Sequence, residues 1–389
     1  MSRGLILILD SLGIGGAPDA DLFDDMGANT LANIFEACER GKANYGRSGS
    51  LNIPNLISLG IYGAVKTASG VELTKKPSPG TFAAATSYSK GKDTPSGHWE
   101  LAGVTVKRDW HYFEKCEPVF PRDQIEQIIS RTNITGILGN CHASGVEIIN
   151  ELGEQHLETG KPIFYTSLDS VVQIASHEGK MALNELYSLA KVPAEVFPPR
   201  GGCRIIARPF SGNNAIGFSR TKNRKDFASS PPGETLCDKV QKSGGVCFGI
   251  GKISDIFNHR GVTNFADNLS DYELFKSVIR CLNYAKSGDL IFANFVEFDS
   301  LYGHRRDVSG YAAALERFDT YLSKLLPKLA NDDLLIITAD HGNDPTWPGS
   351  DHTRERVPVL FKKVNSVGRS LGLIKFSDVG EIMSRHLGL

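Results

Sequence analysis

Three short apolar runs, each leading into an aspartate, constrain this chain more than any other feature. Leu5–Leu9 runs into Asp10, Leu290–Phe298 into Asp299, and Leu334–Thr338 into Ala339 and Asp340. Runs of this length with little polar alternation read as strands buried on both faces, the texture of a parallel sheet covered by helices. Helical patterns precede the later ones: Glu234–Lys242 before Val246–Ile250, Asp271–Lys286 before Leu290–Phe298, and Tyr311–Leu329, with a kink expected at Pro327, before Leu334–Thr338. Strand Val357–Phe361 and helix Asp378–Leu387 close the chain. Strand–helix alternation with short turns predicts an α/β core with a mostly parallel sheet flanked by helices. The carboxyl ends of parallel strands share one edge, where open α/β sheets bind ligands. Asp10, Asp299 and Asp340 are therefore expected to converge.

The chain has 389 residues, enough for two or three domains at about 150 residues each. Near its start, Thr30 reads as the cap of a helix ending at Glu39, Pro54 as the first turn of another, and Thr81–Ser89 as a strand. From about residue 110 to 226 the texture changes. Helical stretches Asp123–Arg131, Val146–Leu157 and Leu183–Ala190 interleave with strand-like Ile163–Ser167, Val171–Ala175 and Cys203–Ala207, and polar Ser211–Lys225 reads as a surface loop. The expected organisation is a discontinuous core domain (1–109 and 227–389) with an inserted α+β cap domain (110–226).

Lys and Arg number 43 against 44 Asp and Glu, a net charge of −1, so no basic field points to nucleic acid. The seven cysteines are odd in number and contain no CxxC, which argues against a disulfide scaffold or a zinc–thiolate site. No stretch approaches the roughly 20 apolar residues of a membrane span, and the run at Leu5–Leu9 is too short for a signal-peptide core. The expectation is a soluble cytoplasmic protein with no membrane, nucleic-acid or obligate protein partner.

Histidines stand close to these aspartates: His304 after Asp299, His341 directly after Asp340, and His352 soon after that. Three Asp and three His suit two divalent ions, and mixed oxygen and imidazole ligation favours Mn²⁺ or Zn²⁺ over Ca²⁺. Any one aspartate alone is better explained as a cap or turn residue; the coincidence at successive strand ends carries the argument. Asp307, Asp344 and Asp351 read as loop caps. Two metals a few ångströms apart form a clamp for displacement at phosphorus. A hydroxyl nucleophile is available in Gly91-Lys92-Asp93-Thr94-Pro95-Ser96-Gly97-His98-Trp99-Glu100, where a helix opening at His98-Trp99-Glu100 would favour a phosphate. Thr94, Ser96 and, beside Asp10, Ser11 compete for that role.

Asp10-Ser11-Leu12-Gly13-Ile14-Gly15 resembles the opening metal motif of the alkaline phosphatase superfamily. Together with the Gly91–Glu100 segment, Phe298-Asp299-Ser300-Leu301-Tyr302-Gly303-His304-Arg305-Arg306-Asp307, Thr338–Pro345, Gly251–Ile256 and Asp351-His352-Thr353-Arg354-Glu355, it resembles the phosphopentomutase family over nearly the whole chain. The resemblance implies an alkaline-phosphatase-like core with an inserted cap. It implies one Mn²⁺ on Asp10, Asp340 and His341, and another on Asp299, His304 and His352. It ranks Thr94 above Ser96 as the residue carrying the phosphoryl group; the family commonly has Thr where this chain has Ser96, a mild departure. It further implies a (deoxy)ribose 1-phosphate/5-phosphate mutase acting through a 1,5-bisphosphate and primed by a sugar bisphosphate. The pentose phosphate is expected between cap and core, met by Ser167, Asp169, Arg204, Arg220 and Lys252. Two other readings stand beside this one: another enzyme of the superfamily, such as a phosphatase or a cofactor-independent phosphoglycerate mutase, and a metal-stabilised binding protein without catalysis.

Overall fold

A computed structural model describes residues 2–74, 79–106, 116–166, 171–197, 205–227, 230–267, 269–363 and 367–389. The chain forms two compact units, Met1–Lys107 with Pro231–Leu389, and Arg108–Ser230. Its strands are β1 (Gly4–Leu9), β2 (Thr81–Thr86), β3 (Leu138–His142), β4 (Ile163–Thr166), β5 (Val172–His177), β6 (Ile205–Asn213), β7 (Gly217–Arg220), β8 (Lys225–Phe227), β9 (Cys247–Ile250), β10 (Thr263–Ala266), β11 (Leu290–Phe295), β12 (Leu334–Thr338), β13 (Val357–Lys363) and β14 (Ser370–Lys375).

In the first unit, eight strands order as β10-β9-β11-β1-β12-β13-β2-β14. β1 lies between β11 and β12, parallel to both, with Leu7 opposite Ala293 and Ile337. Every residue of these three strands is buried, which explains their unbroken apolar character. β13 alone in this sheet runs antiparallel to its neighbours β12 and β2. The chain between β12 and β13 stays at the edge where β12 ends, so it re-enters the sheet from that edge. β2 consequently runs with β1, and its carboxyl end faces the same edge. Phe295, Phe298, Tyr311 and Phe318 pack edge-on or tilted at centroid distances of 5.0–6.1 Å beneath that edge.

The second unit holds a mixed sheet, β3-β4-β5-β6-β7, with β8 paired to β6. Helices Arg122–Ser130, Gly145–Thr159 and Leu183–Val196 cover it. Two apolar clusters form its core, one around Phe120, Phe164 and Phe197 and one around Ile148, Tyr165 and Phe210.

Local chemistry moves several boundaries. Asn29, not Thr30, caps helix Thr30–Glu39, its Oδ1 accepting from Ala32 N at 3.3 Å; the Thr30 hydroxyl is taken by Glu355 Oε1 at 2.7 Å. Helix Val308–Leu325 begins at its Asp307 cap (Gly310 N, 2.8 Å) and ends before Pro327, which lies in a 3₁₀ turn and produces no kink. Ser211–Lys225 is not a loop. β6 continues to Asn213 and pairs antiparallel with β7 and β8. The turn between β6 and β7 is closed by Asn213 Oδ1, which accepts from Ala215 N and Ile216 N at 2.9 and 3.2 Å. β7 and the last residues of β6 are exposed or half-buried and lack the apolar alternation that marks a half-buried strand.

One buried carboxyl yields a pH prediction. Asp271 opens helix Asp271–Leu282; its Oδ1 accepts from Glu297 N, and its own N–H donates to Glu297 Oε1. Burial, and then the facing Glu297 charge, push its pKa up from 3.8 to about 7. A raised acid favours the fold below its ordinary value and loses that contribution as pH rises through the folded one. Asp271→Asn is therefore expected to gain stability relative to the unaltered chain between pH 4 and 7. Urea midpoints at pH 5 and pH 8 check this; an unchanged difference between them refutes it.

Candidate active site

The edge carrying the carboxyl ends of β11, β1 and β12 gathers Asp10, Asp299, Asp340, His304, His341 and His352. Asp10 Oδ1 lies 3.5 Å and Asp340 Oδ2 3.2 Å from His341 Nε2. His352 Nε2 lies 3.5 Å from Asp299 Oδ1, and His304 Nε2 lies 3.1 Å from Asp299 Oδ2 and 3.2 Å from His352 Nε2. The His341 and His352 rings stack at 3.8 Å. Two three-residue sets have ligand atoms within 4.8 Å of one another: Asp10, Asp340 and His341, and Asp299, His341 and His352. His341 belongs to both, and His304 stands beside the second through Asp299, at its more exposed side.

Local structure explains each placement. Asp10 ends β1, and the next residue, Ser11, takes a left-handed φ of 74° that turns its N–H onto Asp340 Oδ1 at 3.1 Å. Asp299 and His304 are five residues apart, which on an α-helix would set them about 140° apart. Residues Phe298–Gly303 instead form a π turn, closed by His304 N donating to Asp299 O at 3.0 Å, so both side chains share a face. Backbone pairing between Gly342 and Thr353 draws the His341 and His352 segments together.

This donor set fits a divalent cation. Asp10 Oδ1 and Asp340 Oδ2 are buried and accept no hydrogen bond, and buried oxygens normally find a partner. Burial, then the Asp340 and Asp299 charges, drive the Asp10 pKa well up. Burial opposes ionisation of Asp340 and Asp299 as well, yet the histidines prevail. His341 and His98 hold Asp340 at about 2, and His352 and His304 hold Asp299 well below the usual carboxylate range. Burial lowers His341 to about 4, whereas Asp299 overrides burial at His352 and raises it to about 9. The cluster is short of positive charge, the condition a bound cation corrects.

The three candidate hydroxyls separate cleanly. Ser96 Oγ donates to Asp93 Oδ2 at 2.8 Å, and Ser11 Oγ lies 3.2 Å from Tyr311 Oη. Thr94 Oγ1 faces the cluster, 3.1 Å from His341 Nε2. Thr94 is the first residue of helix Thr94–Leu101, capped by Asp93 Oδ1 accepting from Ser96 N at 3.0 Å. A Cβ on Gly97 would sit 2.1 Å from Asp340 O, so glycine there lets the helix press against the aspartate's segment.

His98 and Asn294 escaped the sequence reading. His98 is fully buried; its Nδ1 donates to Thr94 O at 2.9 Å and lies 3.2 Å from Asp340 Oδ2. Asn294 Nδ2 lies 2.9 Å from His98 Nε2 and donates to Asp10 Oδ2 at 3.2 Å. The pair links the threonine backbone to two carboxylates. Asn294 signalled itself only as a polar residue inside an apolar run, and His98, between Gly97 and Trp99, gave no such signal.

The remaining aspartates have other partners. Asp307 caps its helix, and buried Asp344 accepts from Asn29 N and Thr346 N at 3.0 and 2.9 Å. Asp351 is exposed and accepts from the adjacent His352 N. Lys252 lies on the turn after β9, exposed, and its charge acts on Asp10 in the direction opposite to burial. Arg220, in the second unit, approaches Tyr165 at the start of helix Gly145–Thr159, where a Cβ on Gly145 would meet Arg220 Nη2 at 2.0 Å and Tyr165 Oη at 2.2 Å. Ser167, Asp169 and Arg204 lie outside the described residues.

The model of the metalloenzyme superfamily matches residues 2–388. Curated relatives named phosphopentomutase align with all of this chain: one from Shewanella denitrificans at 48% identity over 97% of its own length, one from Chelativorans sp. at 49% over 96%, and one from Sinorhizobium fredii at 48% over 98%. The chain belongs to the phosphopentomutase family. It is an enzyme of the isomerase class, and its family is one of metalloenzymes. Among the described residues no helix is long and apolar enough to cross a membrane.

Proposed function

We propose that this chain interconverts (deoxy)ribose 1-phosphate and (deoxy)ribose 5-phosphate in the cytoplasm through a phosphothreonine at Thr94. The Thr94 Oγ1–P bond breaks as a new P–O bond forms to the free hydroxyl of the bound monophosphate, whose proton ends on the freed threonine hydroxyl. The resulting 1,5-bisphosphate returns its other phosphoryl group to Thr94. Asp10, Asp340 and His341 hold one divalent ion, and Asp299, His304 and His352 the other, with His341 close to both. Two bound Mn²⁺ ions supply positive charge and alignment for the transferring group. Arg220 and Arg204 bind phosphate, for which the guanidinium fork is suited. Ser167, Asp169 and Lys252 complete substrate recognition. A sugar bisphosphate primes the enzyme by phosphorylating Thr94.

The observation that supports this reading most is the Thr94 hydroxyl, 3.1 Å from an imidazole shared by both ligand sets. Phosphorus NMR tests it. Protein with Mn²⁺ and a trace of glucose 1,6-bisphosphate is given ribose 1-phosphate. Ribose 5-phosphate with little inorganic phosphate is the expected result; inorganic phosphate as the sole product overturns it in favour of a phosphatase.

A further inference from the structure

The segment leading to Thr94 is held from two sides by two buried charges that serve neither as ligands nor as nucleophile. Glu100, fully buried, takes its donors: Ser87 Oγ, Tyr88 N and Ser89 N each donate to the Glu100 carboxylate at 2.8 Å. Arg354, 5% exposed, takes its acceptors. Arg354 Nη2 donates to Ser87 O at 3.1 Å and to Ser89 O at 2.9 Å, and Nη1 donates to Gly91 O at 2.9 Å. The next carbonyl, Lys92 O, lies 2.7 Å from His352 Nδ1, which leaves His352 Nε2 to face Asp299. The guanidinium itself is anchored by Asp19, with Nε donating at 3.0 Å and Nη2 at 2.9 Å, over the Phe23 ring at 5.2 Å.

Burying a charge without a direct counter-ion is costly. Among the described residues, Glu100 is satisfied by loop donors alone. Arg354 spends three of its contacts on loop carbonyls, although Asp19 by itself would neutralise it. A planar fork can hold several carbonyls in fixed directions, which a lysine ammonium cannot do over the same span. The loop geometry that satisfies both charges is the one that brings Thr94 Oγ1 to the cluster.

We infer that Arg354, opposed by Glu100, is a positioning residue for Thr94, and that it ties the nucleophile's reach to the His352 side of the ligand cluster. The inference rests on the phosphothreonine reading above. Misplacing a reacting group by about 1 Å costs on the order of 100-fold in rate. In Arg354→Lys, the charge toward Asp19 stays while the grip on three carbonyls is lost. Its kcat per phosphorylated Thr94 is expected to fall about 10- to 100-fold, on the scale of lost outer-shell support, with KM and manganese stoichiometry kept within a few-fold. Intact mass spectrometry counts the phosphorylated sites, so a simple loss of folded protein does not imitate the effect. An unchanged kcat per phosphorylated site overturns the inference. Should Arg354→Lys not fold, Asp19→Asn, which loosens the anchor of the same guanidinium at a partly exposed position, carries the test. A several-fold fall in the same quantity supports the inference, and no fall overturns it. Absence of phosphate on Thr94 in the unaltered protein removes the phosphothreonine reading itself, a result separable from the behaviour of either variant.

Discussion

Thr94→Val is expected to end mutase turnover, with a fall of more than about 10³-fold, since removing the proposed covalent nucleophile leaves only background catalysis. Valine keeps the β-branched shape and lacks the hydroxyl that faces His341 Nε2. The helix start does not depend on that hydroxyl, because Asp93 caps it through Ser96 N. Neither neighbouring hydroxyl replaces it, as Ser96 Oγ donates to Asp93 and Ser11 Oγ packs against Tyr311 Oη. Bound manganese is expected to stay the same, and phosphate introduced by the bisphosphate primer to vanish from the intact mass. Turnover within tenfold of the unaltered chain, or phosphate retained on another residue, contradicts the assignment. Thr94→Ser, which preserves the oxygen with more rotational freedom, is expected to keep part of the activity.

Asp340→Asn has the second largest expected effect, on metal rather than on the nucleophile. Asp340 Oδ2 is buried without a hydrogen bond and lies 3.2 Å from His341 Nε2, while Oδ1 already accepts from Ser11 N. The variant keeps the Oδ1 contact and removes the charge at Oδ2. Elemental analysis is expected to show manganese falling from two equivalents to one, with activity lost accordingly. Thermal unfolding gives an independent readout. An ion at 1,000 times its Kd adds about 4 kcal/mol to stability, so the manganese-induced rise in melting temperature is expected to shrink in the variant. Two retained equivalents of manganese refute the ligand role.

Much of the framework was legible in the sequence because it depends on near neighbours. β12 has the predicted bounds, and β1 and β11 begin within a residue of them; each is apolar because both its faces are covered. The last residues of the run read as Leu290–Phe298 leave the sheet after Phe295. Their apolar character comes from Phe298 packing under the edge, which a strand and a π turn can both satisfy. Weakly patterned elements were invisible: β10 and β14, whose residues are mostly not buried, and β7 with the far end of β6, although the buried start of β6 was read as a strand. Strand signals come from burial, and edge strands have little of it.

For the site, sequence alone determined which residues end the central strands: Asp10 and Asp340 just beyond buried runs, Thr94 in a glycine-bearing segment after a strand, and histidines beside the carboxylates. These follow from spacing along the chain, and a parallel sheet converts such spacing into proximity at one edge. Only the tertiary structure decided the sheet order that makes β11, β1 and β12 neighbours, the π turn that aligns Asp299 with His304, and the sharing of His341 between the two sets. The roles of His98, Asn294, Glu100 and Arg354 came only from there as well. Arg354 grips carbonyls more than 260 residues away, and Asn294 reaches Asp10 from 284 residues away. A buried polar side chain is worth keeping only for the partners that packing brings to it, and no local pattern encodes who those partners are.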